Sequence, residues 1–442
     1  MSVTMLRMMA TAFMAVMLAV SVTPARSAET ATADDTARFL AGLPPASSSP
    51  LAAFTKDPFW QQHARYFDSI FAREDSAKLS KVRTFSKEQL TDKHDTMLYM
   101  FSGPDFLYAT SFFPSASTYV LAGLEPVGDI PQLTSLSHPA VDGTLRNLET
   151  SLGSLLSYSF FITKKMKTQL HEGPVYGALP VLYVFLARTG KTIHDVSFVG
   201  LDAEGNFLTA DEPTATNANT RKPMRSIARN AAPGVKIVFS DGNGPQQTLY
   251  YFSTNLADGS VERSGFLAFC QNLGVADSFI KSASYLLHGG GFNKIRAFLL
   301  DHSATILQDD SGIPLAYFDP KKWRLEPFGR YVGPLSIFGH SYQPGMAELY
   351  RKATPINFGI GYRWRKNESN LLLALKGEPK VGDGELTPPL PSDAQPPKKP
   401  GGASDASQSH RKRAQSDSTG SLGCRFGGVF PFCSNPPPKS SR

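Results

Sequence analysis

The chain lacks most of the short motifs that identify a common enzyme chemistry. It contains no HExxH zinc motif, no pair of CxxC motifs and no GxGxxG dinucleotide loop. The triplet "GKT" at 190–192 has no glycine at the upstream position that a phosphate loop requires. The sequence therefore gives no motif-based indication of metalloprotease, zinc-ribbon, dinucleotide-binding or P-loop activity.

Cysteine is scarce, with three residues in 442. Cys424 and Cys433 flank a Gly-Gly pair in "CRFGGVFPFC", and we predict that they close a small disulfide loop in an oxidising compartment. Cys270 lies in the apolar run "GFLAFCQNLG" and is interpreted as a buried thiol, not as a nucleophile.

Long hydrophobic runs are missing after the first 28 residues. Arg7, the apolar run at 8–22 and the small residues of "PARSA" are typical of an export signal cleaved near Ser27 or Ala28. A retained membrane anchor is the alternative. The longest apolar run elsewhere, 178–187, has the length of a buried helix and not of a membrane span. We therefore expect a periplasmic or secreted protein.

Concentrated positive charge is also absent from the expected folded body. The net charge is +7, of which the signal contributes +2 and the segment from Gly377 onward +3, so +2 remains. Nucleic-acid binding needs a concentrated basic face, and no nucleic-acid partner is expected.

Differences in composition divide the chain into four segments. They are a signal peptide (1–28), a flexible polar lead (29–57), a globular body (58–376) and a Pro/Ser/Gly/Lys-rich tail (377–442). The tail is predicted to be disordered outside the Cys424–Cys433 loop. The polar stretch 202–232 is a possible boundary between two lobes, and one continuous domain is the alternative.

Hydrophobic periodicity in the body predicts an α/β fold, with an open mixed β-sheet and flanking helices. A helix is expected between the first two strands, and further helices at 58–79, 141–170, 176–190, 262–273, 276–288 and 292–301. Strands are expected at 96–101, 118–124, 195–201, 234–240, 247–254, 304–308, 331–338, 356–364 and 369–375.

The leading candidate site follows the first two predicted strands. At least fifteen residues (102–116) separate these strands, which is enough for a helical crossover between parallel neighbours. Asp105 and Glu125 would then meet at the sheet edge where α/β proteins bind ligands, as a catalytic pair or as metal ligands, with Ser102 adding a hydroxyl. The alternative is that Pro104-Asp105 only begins a helix.

Asp309 and Asp310 form a second candidate, because they directly follow the apolar strand "ATIL". Adjacent carboxylates repel, so one is expected to be paired, protonated or bound to a divalent cation. The calcium spacing of an EF-hand is absent, and a plain Asp/Ser/Gly turn is the alternative.

Two fragments resemble parts of a serine esterase. "HGGG" (288–291) matches an oxyanion-hole motif, and "GHSYQ" (339–343) is close to a nucleophile elbow. However, Gln343 replaces the final glycine, and the only histidine after the serine is His410 in the tail. Esterase activity built on these motifs is disfavoured, and the Ser-x-x-Lys match "SFIK" (278–281) is interpreted as chance.

Four segments carry a wider resemblance: "SGPDFLYATSFFP", "YVLAGLEPVG", "ILQDDSGIP" and "FGIGYRW". They resemble a group of exported bacterial proteins without an assigned activity, over much of residues 58–376. The resemblance implies one shared architecture and no catalytic residues.

The sequence supports two functional hypotheses. The first is binding or processing of a small molecule or a cell-envelope component at the acidic sheet edge. The second is a non-catalytic envelope scaffold whose basic tail contacts an anionic surface.

Overall fold

The computed structural model describes residues 31–158, 175–208 and 232–377, and within them strands and helices alternate along the chain. The strands are β1 Thr96–Tyr99, β2 Thr118–Gly123, β3 Lys191–Gly200, β4 Pro233–Asp241, β5 Gln246–Ser253, β6 Ala276–Ile280, β7 Ser303–Gln308, β8 Trp323–Gly329 and β9 Asn370–Lys376. The α-helices are α1 Ala33–Leu40, α2 Pro58–Glu74, α3 Ser80–Gln89, α4 Phe106–Phe112, α5 His138–Tyr158, α6 Leu179–Arg188, α7 Asp258–Val261, α8 Phe266–Asn272, α9 Asn293–His302 and α10 Pro344–Leu349.

All nine strands belong to one mixed sheet, in the order β3-β4-β5-β2-β1-β6-β7-β9-β8. The five central strands, β5-β2-β1-β6-β7, are parallel to one another. Antiparallel strands extend the sheet at both ends. β3 and β4 lie on either side of the 202–232 segment in the chain and pair with each other.

Helices cover both faces of the sheet, because alternate strand residues point to opposite faces. Met97 and Tyr99 pack into one apolar cluster with residues of α1 to α6. Leu98 and Met100 pack into a second cluster with residues of α7 to α10. Each central strand is thus buried on both sides, which is the usual environment of parallel strands.

The connections that leave β1 and β6 run over opposite faces of the sheet. β1 continues through α4, whose residues pack in the first cluster, to β2. β6 continues through α9, whose residues pack in the second cluster, to β7. Because β1 and β6 are adjacent and parallel, their carboxyl ends form a topological switch point, which is where open α/β sheets usually bind ligands.

The structure confirms the α/β class with an open mixed sheet and flanking helices. Three predicted elements are wrong. The segment predicted as a helix at 276–288 is strand β6 followed by a turn, and neither 331–338 nor 356–364 is a strand. The periodicity of a short apolar run does not distinguish a buried strand from a helix. Residues 276–280 form a strand because they pair with β1 on one side and β7 on the other.

The signal peptide, the 377–442 tail and the proposed Cys424–Cys433 disulfide lie outside the described residues. In the lead, α1 contributes the fully buried side chains of Phe39 and Leu40 to the core. Among the helices of the described ranges, none combines the length and hydrophobicity that a membrane crossing requires.

Candidate functional site

β1 and β2 are parallel neighbours, as the sequence predicted, with Thr96 opposite Thr118 and Tyr99 opposite Leu121. Asp105 and Glu125 therefore both follow strands that end at the same edge of the sheet. Both side chains are buried, at 1% and 3% exposure.

Asp105 is the N-cap residue of α4 and also part of an ion pair. Its Oδ1 accepts a hydrogen bond from the Tyr108 backbone N–H at 3.2 Å. Its Oδ2 accepts from the Tyr99 hydroxyl at 2.8 Å and lies 2.6 Å from Lys281 Nζ. The helix-start interpretation therefore holds, and the same carboxylate has a second role beyond it.

Lys281 directly follows β6 and is the partner that the structure gives to Asp105 across the switch point. Its ammonium group is 3.8 Å from the centre of the Tyr108 ring. Burial lowers the pKa of Lys281, while Asp105 opposes that shift. Burying such a pair costs desolvation energy that its own attraction only partly offsets. Stability alone therefore gives little reason to place a lysine here.

The network continues from Lys281 to the end of α2. The Tyr108 hydroxyl donates to Glu74 Oε1 at 2.8 Å, and Lys78 Nζ lies 3.1 Å from Glu74 Oε2. α2 ends here in a π-helical turn, Asp75–Leu79. Single π-turns inside helices are often found at functional sites.

Glu125 has different surroundings. Its carboxylate packs against the backbone of Gly103 and Gly123, where an added Cβ would lie 3.2 Å and 2.5 Å from Oε2. The Tyr251 hydroxyl donates to the Glu125 backbone carbonyl at 2.8 Å and is 3.5 Å from Oε2. Among the described residues, Asp105 and Glu125 share no hydrogen-bond partner, and a division of acid and base roles between them stays a prediction.

Asp309 lies next to the Lys281 turn, because β7 pairs with β6 in parallel. Its Oδ2 accepts from the Ser282 backbone N–H at 2.9 Å, and its Oδ1 accepts from the Ser311 backbone N–H at 3.0 Å. Burial and, secondly, the charge of Asp310 raise the pKa of Asp309 to about 6. This carboxyl group therefore exchanges its proton near neutral pH.

Asp310 is paired by an arginine. Arg363 donates through Nε at 2.9 Å and through Nη2 at 2.6 Å to the two Asp310 oxygens. The Tyr285 hydroxyl donates to Asp310 Oδ2 at 2.8 Å. The two adjacent aspartates thus have separate environments, since Asp310 is paired with Arg363 and Asp309 has a raised pKa.

Several buried polar atoms around these aspartates have no hydrogen-bond partner in the described structure. They are Ser282 Oγ, His288 Nε2 and Tyr350 Oη. Burial lowers the pKa of His288 to about 4, and Asp310 partly opposes this. Burial raises the pKa of Tyr350, and Asp310 and Asp309 raise it further. Buried polar groups are almost always satisfied in proteins, so this concentration needs an explanation.

Backbone strain is concentrated at the same place. The non-glycine residues with positive φ in the described ranges all follow β1 or β6: Phe101 (61°), Ser282 (54°), Ser284 (53°) and Tyr285 (55°). Left-handed conformations at such residues cost about 1–3 kcal/mol and cluster at active sites. The strain thus lies on the two strand ends that form the switch point.

Other features that the sequence suggested have structural roles. Cys270 is buried, and burial raises the pKa of its thiol, as expected for a residue of the core. Ser278 points away from Lys281 and shares a hydrogen bond with Ser303 at 2.7 Å, so "SFIK" forms no Ser-Lys pair. Ser341 lies in the 3₁₀ segment Ser336–Ser341 and not at a strand end.

A metal centre is not evident in the described residues, which contain no group of three or more His, Cys, Asp or Glu side chains able to hold an ion. Comparison with protein-family models, curated proteins and solved structures found no match.

Sequence reasoning dismissed Lys281 as part of a chance Ser-x-x-Lys match, and it did not single out Ser282 or Arg363. Lys281 and Asp105 lie 176 residues apart in the chain. A recognisable signal did exist: "FIKS" is a short apolar run that ends in polar residues, which is also the pattern of a strand reaching a sheet edge.

Proposed function

We propose that the protein is exported and binds or processes a small molecule or cell-envelope component at the carboxyl ends of β1, β6 and β7. The observation that carries the proposal is the strained backbone at both strand ends of the switch point, Phe101 after β1 and Ser282, Ser284 and Tyr285 after β6. Such strain persists only where the surrounding structure enforces it, and functional sites are where it is commonly found.

The charges at the switch point support the same proposal. Lys281 and Asp105 are 3% and 1% exposed, and Asp309 is fully buried. Three ionisable groups in one buried region are an expensive way to stabilise a fold, since apolar residues of similar volume often do as well or better. The shifted pKa values of Lys281 and Asp309 are typical of sites that bind or transfer protons.

An aromatic rim next to the charges indicates the kind of ligand. The rings of Tyr285 and Phe338 lie 5.0 Å apart, and those of Phe338 and Tyr362 lie 6.3 Å apart. Ile337, the neighbour of Phe338 in the chain, is 53% exposed. Rings beside a few fixed polar groups suit a ligand with both apolar and polar parts, such as an acylated or peptide-bearing envelope fragment.

Thermal melting of the mature chain with soluble peptidoglycan fragments and acylated oligosaccharides tests binding, with Mg²⁺ and Ca²⁺ as separate arms. A ligand present at 100 times its Kd raises the free energy of unfolding by about 2.7 kcal/mol. A screen in which none of these compounds raises the melting temperature contradicts the proposal.

Two tyrosine-to-phenylalanine variants localise the binding. Tyr350→Phe removes an unpaired buried hydroxyl beside the aspartates, and Tyr183→Phe removes an unpaired buried hydroxyl from α6. Neither variant loses a hydrogen bond of the described structure, so both should fold at least as stably as the wild type. Only Tyr350→Phe should reduce the ligand-induced shift, and equal shifts in both variants would place the ligand elsewhere.

Export is tested separately. Cell fractionation should recover the mature chain outside the cytoplasm, and its N-terminal sequence should begin at Ala28 or Glu29. Recovery of an uncleaved chain in the membrane fraction would favour the anchor alternative.

A further inference from the structure

Ser282 differs from the other serines at this edge of the sheet in the state of its hydroxyl. The others are hydrogen-bonded: Ser102 to the Gly103 carbonyl at 2.7 Å, Ser284 to the Tyr362 hydroxyl at 2.6 Å and Ser311 to Asp309 at 2.5 Å. Ser282 Oγ is buried and has no partner among the described residues. Its hydroxyl therefore remains available for chemistry.

The position of Ser282 suits a nucleophile. It lies two residues beyond β6, at the carboxyl edge of the parallel strands, with a φ of 54°. A serine on a tight, strained turn after a central strand is placed at the sheet edge, where α/β folds usually bind ligands. The residue is half-buried, and Gly361 lies close to its buried Oγ.

Asp309 is held beside this hydroxyl. Its Oδ2 accepts the Ser282 backbone N–H at 2.9 Å. A Cβ added to Gly361 would lie 2.5 Å from Ser282 Oγ and 2.9 Å from Asp309 Oδ2, so both oxygens face the same point.

We infer that Ser282 is the nucleophile of an acyl-transfer reaction on carboxylic esters, with Asp309 as its general base. The inference rests on the proposed function, because it uses the same switch-point site, and it narrows the substrate to an ester of an envelope component or small molecule. It is independent of the "HGGG" and "GHSYQ" fragments, since it involves neither their serine nor a histidine.

Ser282 Oγ attacks the ester carbonyl carbon while its proton passes to the Asp309 carboxylate, and the carbonyl π electrons move to oxygen. The tetrahedral intermediate collapses, the ester C–O bond breaks, and the leaving alkoxide takes the proton from Asp309. Water then attacks the acyl-serine, gives a proton to Asp309, and releases the acid as that proton returns to Ser282 Oγ.

The protonation behaviour of Asp309 fits the role. Burial and Asp310 raise its pKa to about 6, so the carboxylate is present at pH 7 yet is a stronger base than an exposed aspartate.

A tagged fluorophosphonate, which reacts covalently with activated serines, tests the inference without knowledge of the natural ester. The full mature chain is incubated with the probe, and peptide mass spectrometry identifies the modified residue. We expect one label per chain at Ser282, loss of that label in Ser282→Ala, and a labelling rate about 100-fold lower in Asp309→Asn. The wild-type rate should rise with pH through about 6.

Ser151→Ala is the matched control, because Ser151 is buried in α5 and its hydroxyl bonds only its own helix, at Asn147 O, 2.8 Å away. Its labelling should equal that of the wild type. If Ser282→Ala melts far below the wild type, Ser282→Cys replaces it and should be alkylated by iodoacetamide at position 282.

A folded wild type that takes no label, or takes it at another serine, overturns the inference. Wild-type labelling of Asp309→Asn overturns the role of the base. If the melting screen finds a ligand while the probe does not react, the site binds without this chemistry. If the probe reacts while the screen finds no ligand, the proposed class of ligand is wrong.

Discussion

The turns after β2 and β6 lie at the same edge of one sheet, yet their polar side chains have different surroundings. Glu125 beyond β2 packs against glycine backbone and Tyr251. Beyond β6, Lys281 is held in a buried ion pair, and Ser282 keeps an unpaired hydroxyl on strained backbone. An acid at the sheet edge is therefore not enough to mark a site; the neighbouring strand end must supply strain and unsatisfied groups as well.

The largest expected effect comes from breaking the ion pair at the switch point. Lys281→Met leaves Asp105 buried without its counter-charge, and we expect a loss of about 3–5 kcal/mol in the free energy of unfolding. Denaturant titration measures it. The control is Lys294→Met, since Lys294 and its partner Glu262 are 58% and 45% exposed, and this variant should lose much less stability. Equal losses of stability in the two variants would mean that the ion pair at the switch point contributes no more than an exposed one.

The next effect is a change in the pH dependence of stability through Asp309. Its pKa is about 6 in the folded chain against an ordinary 3.8, so the folded state binds its proton more tightly. That contribution is complete below about pH 4 and is lost as the pH rises through about 6, by roughly 3 kcal/mol. Asp309→Asn should remove this fall from unfolding curves measured between pH 4 and 8. Parallel pH profiles of wild type and variant would contradict the shifted pKa.

A smaller effect is expected where Gly361 covers the Ser282 hydroxyl. Its φ is 57°, and an added Cβ would lie 2.5 Å from Ser282 Oγ, so Gly361→Ala should destabilise the fold by about 2 kcal/mol. Gly290→Ala is the control, because its Cβ would meet nothing within 4 Å. Melting curves of the two variants separate close packing at the site from a general effect of replacing glycine.

The smallest change in stability is expected for Glu125, in the turn after β2. Glu125→Gln keeps the side-chain shape, and the bond from Tyr251 to the Glu125 backbone carbonyl remains. We expect a change of less than about 1 kcal/mol in stability and no change in fluorophosphonate labelling. A loss of labelling in a stable Glu125→Gln protein would restore this residue to the site.

The β1–α4–β2 unit was predictable from the sequence, because the patterns that specify it are local. The runs at 96–101 and 118–124 are apolar and bounded by turn residues, and the interval between them fits one short helix. They became β1 and β2 with α4 between them, and Asp105 capped that helix. The site could not be predicted in the same way. The pattern of β6 predicted a helix, so the polar residues that follow this strand were not recognised as lying at the sheet edge.

Local sequence patterns specify the α/β class, the crossover between β1 and β2 and the acids near a strand end, since hydrophobic periodicity and capping act within a few residues. Only in the folded chain does β6 lie beside β1, and there Lys281, not Glu125, pairs with Asp105. Strand order is set by packing among residues far apart in the chain, and no local pattern records it.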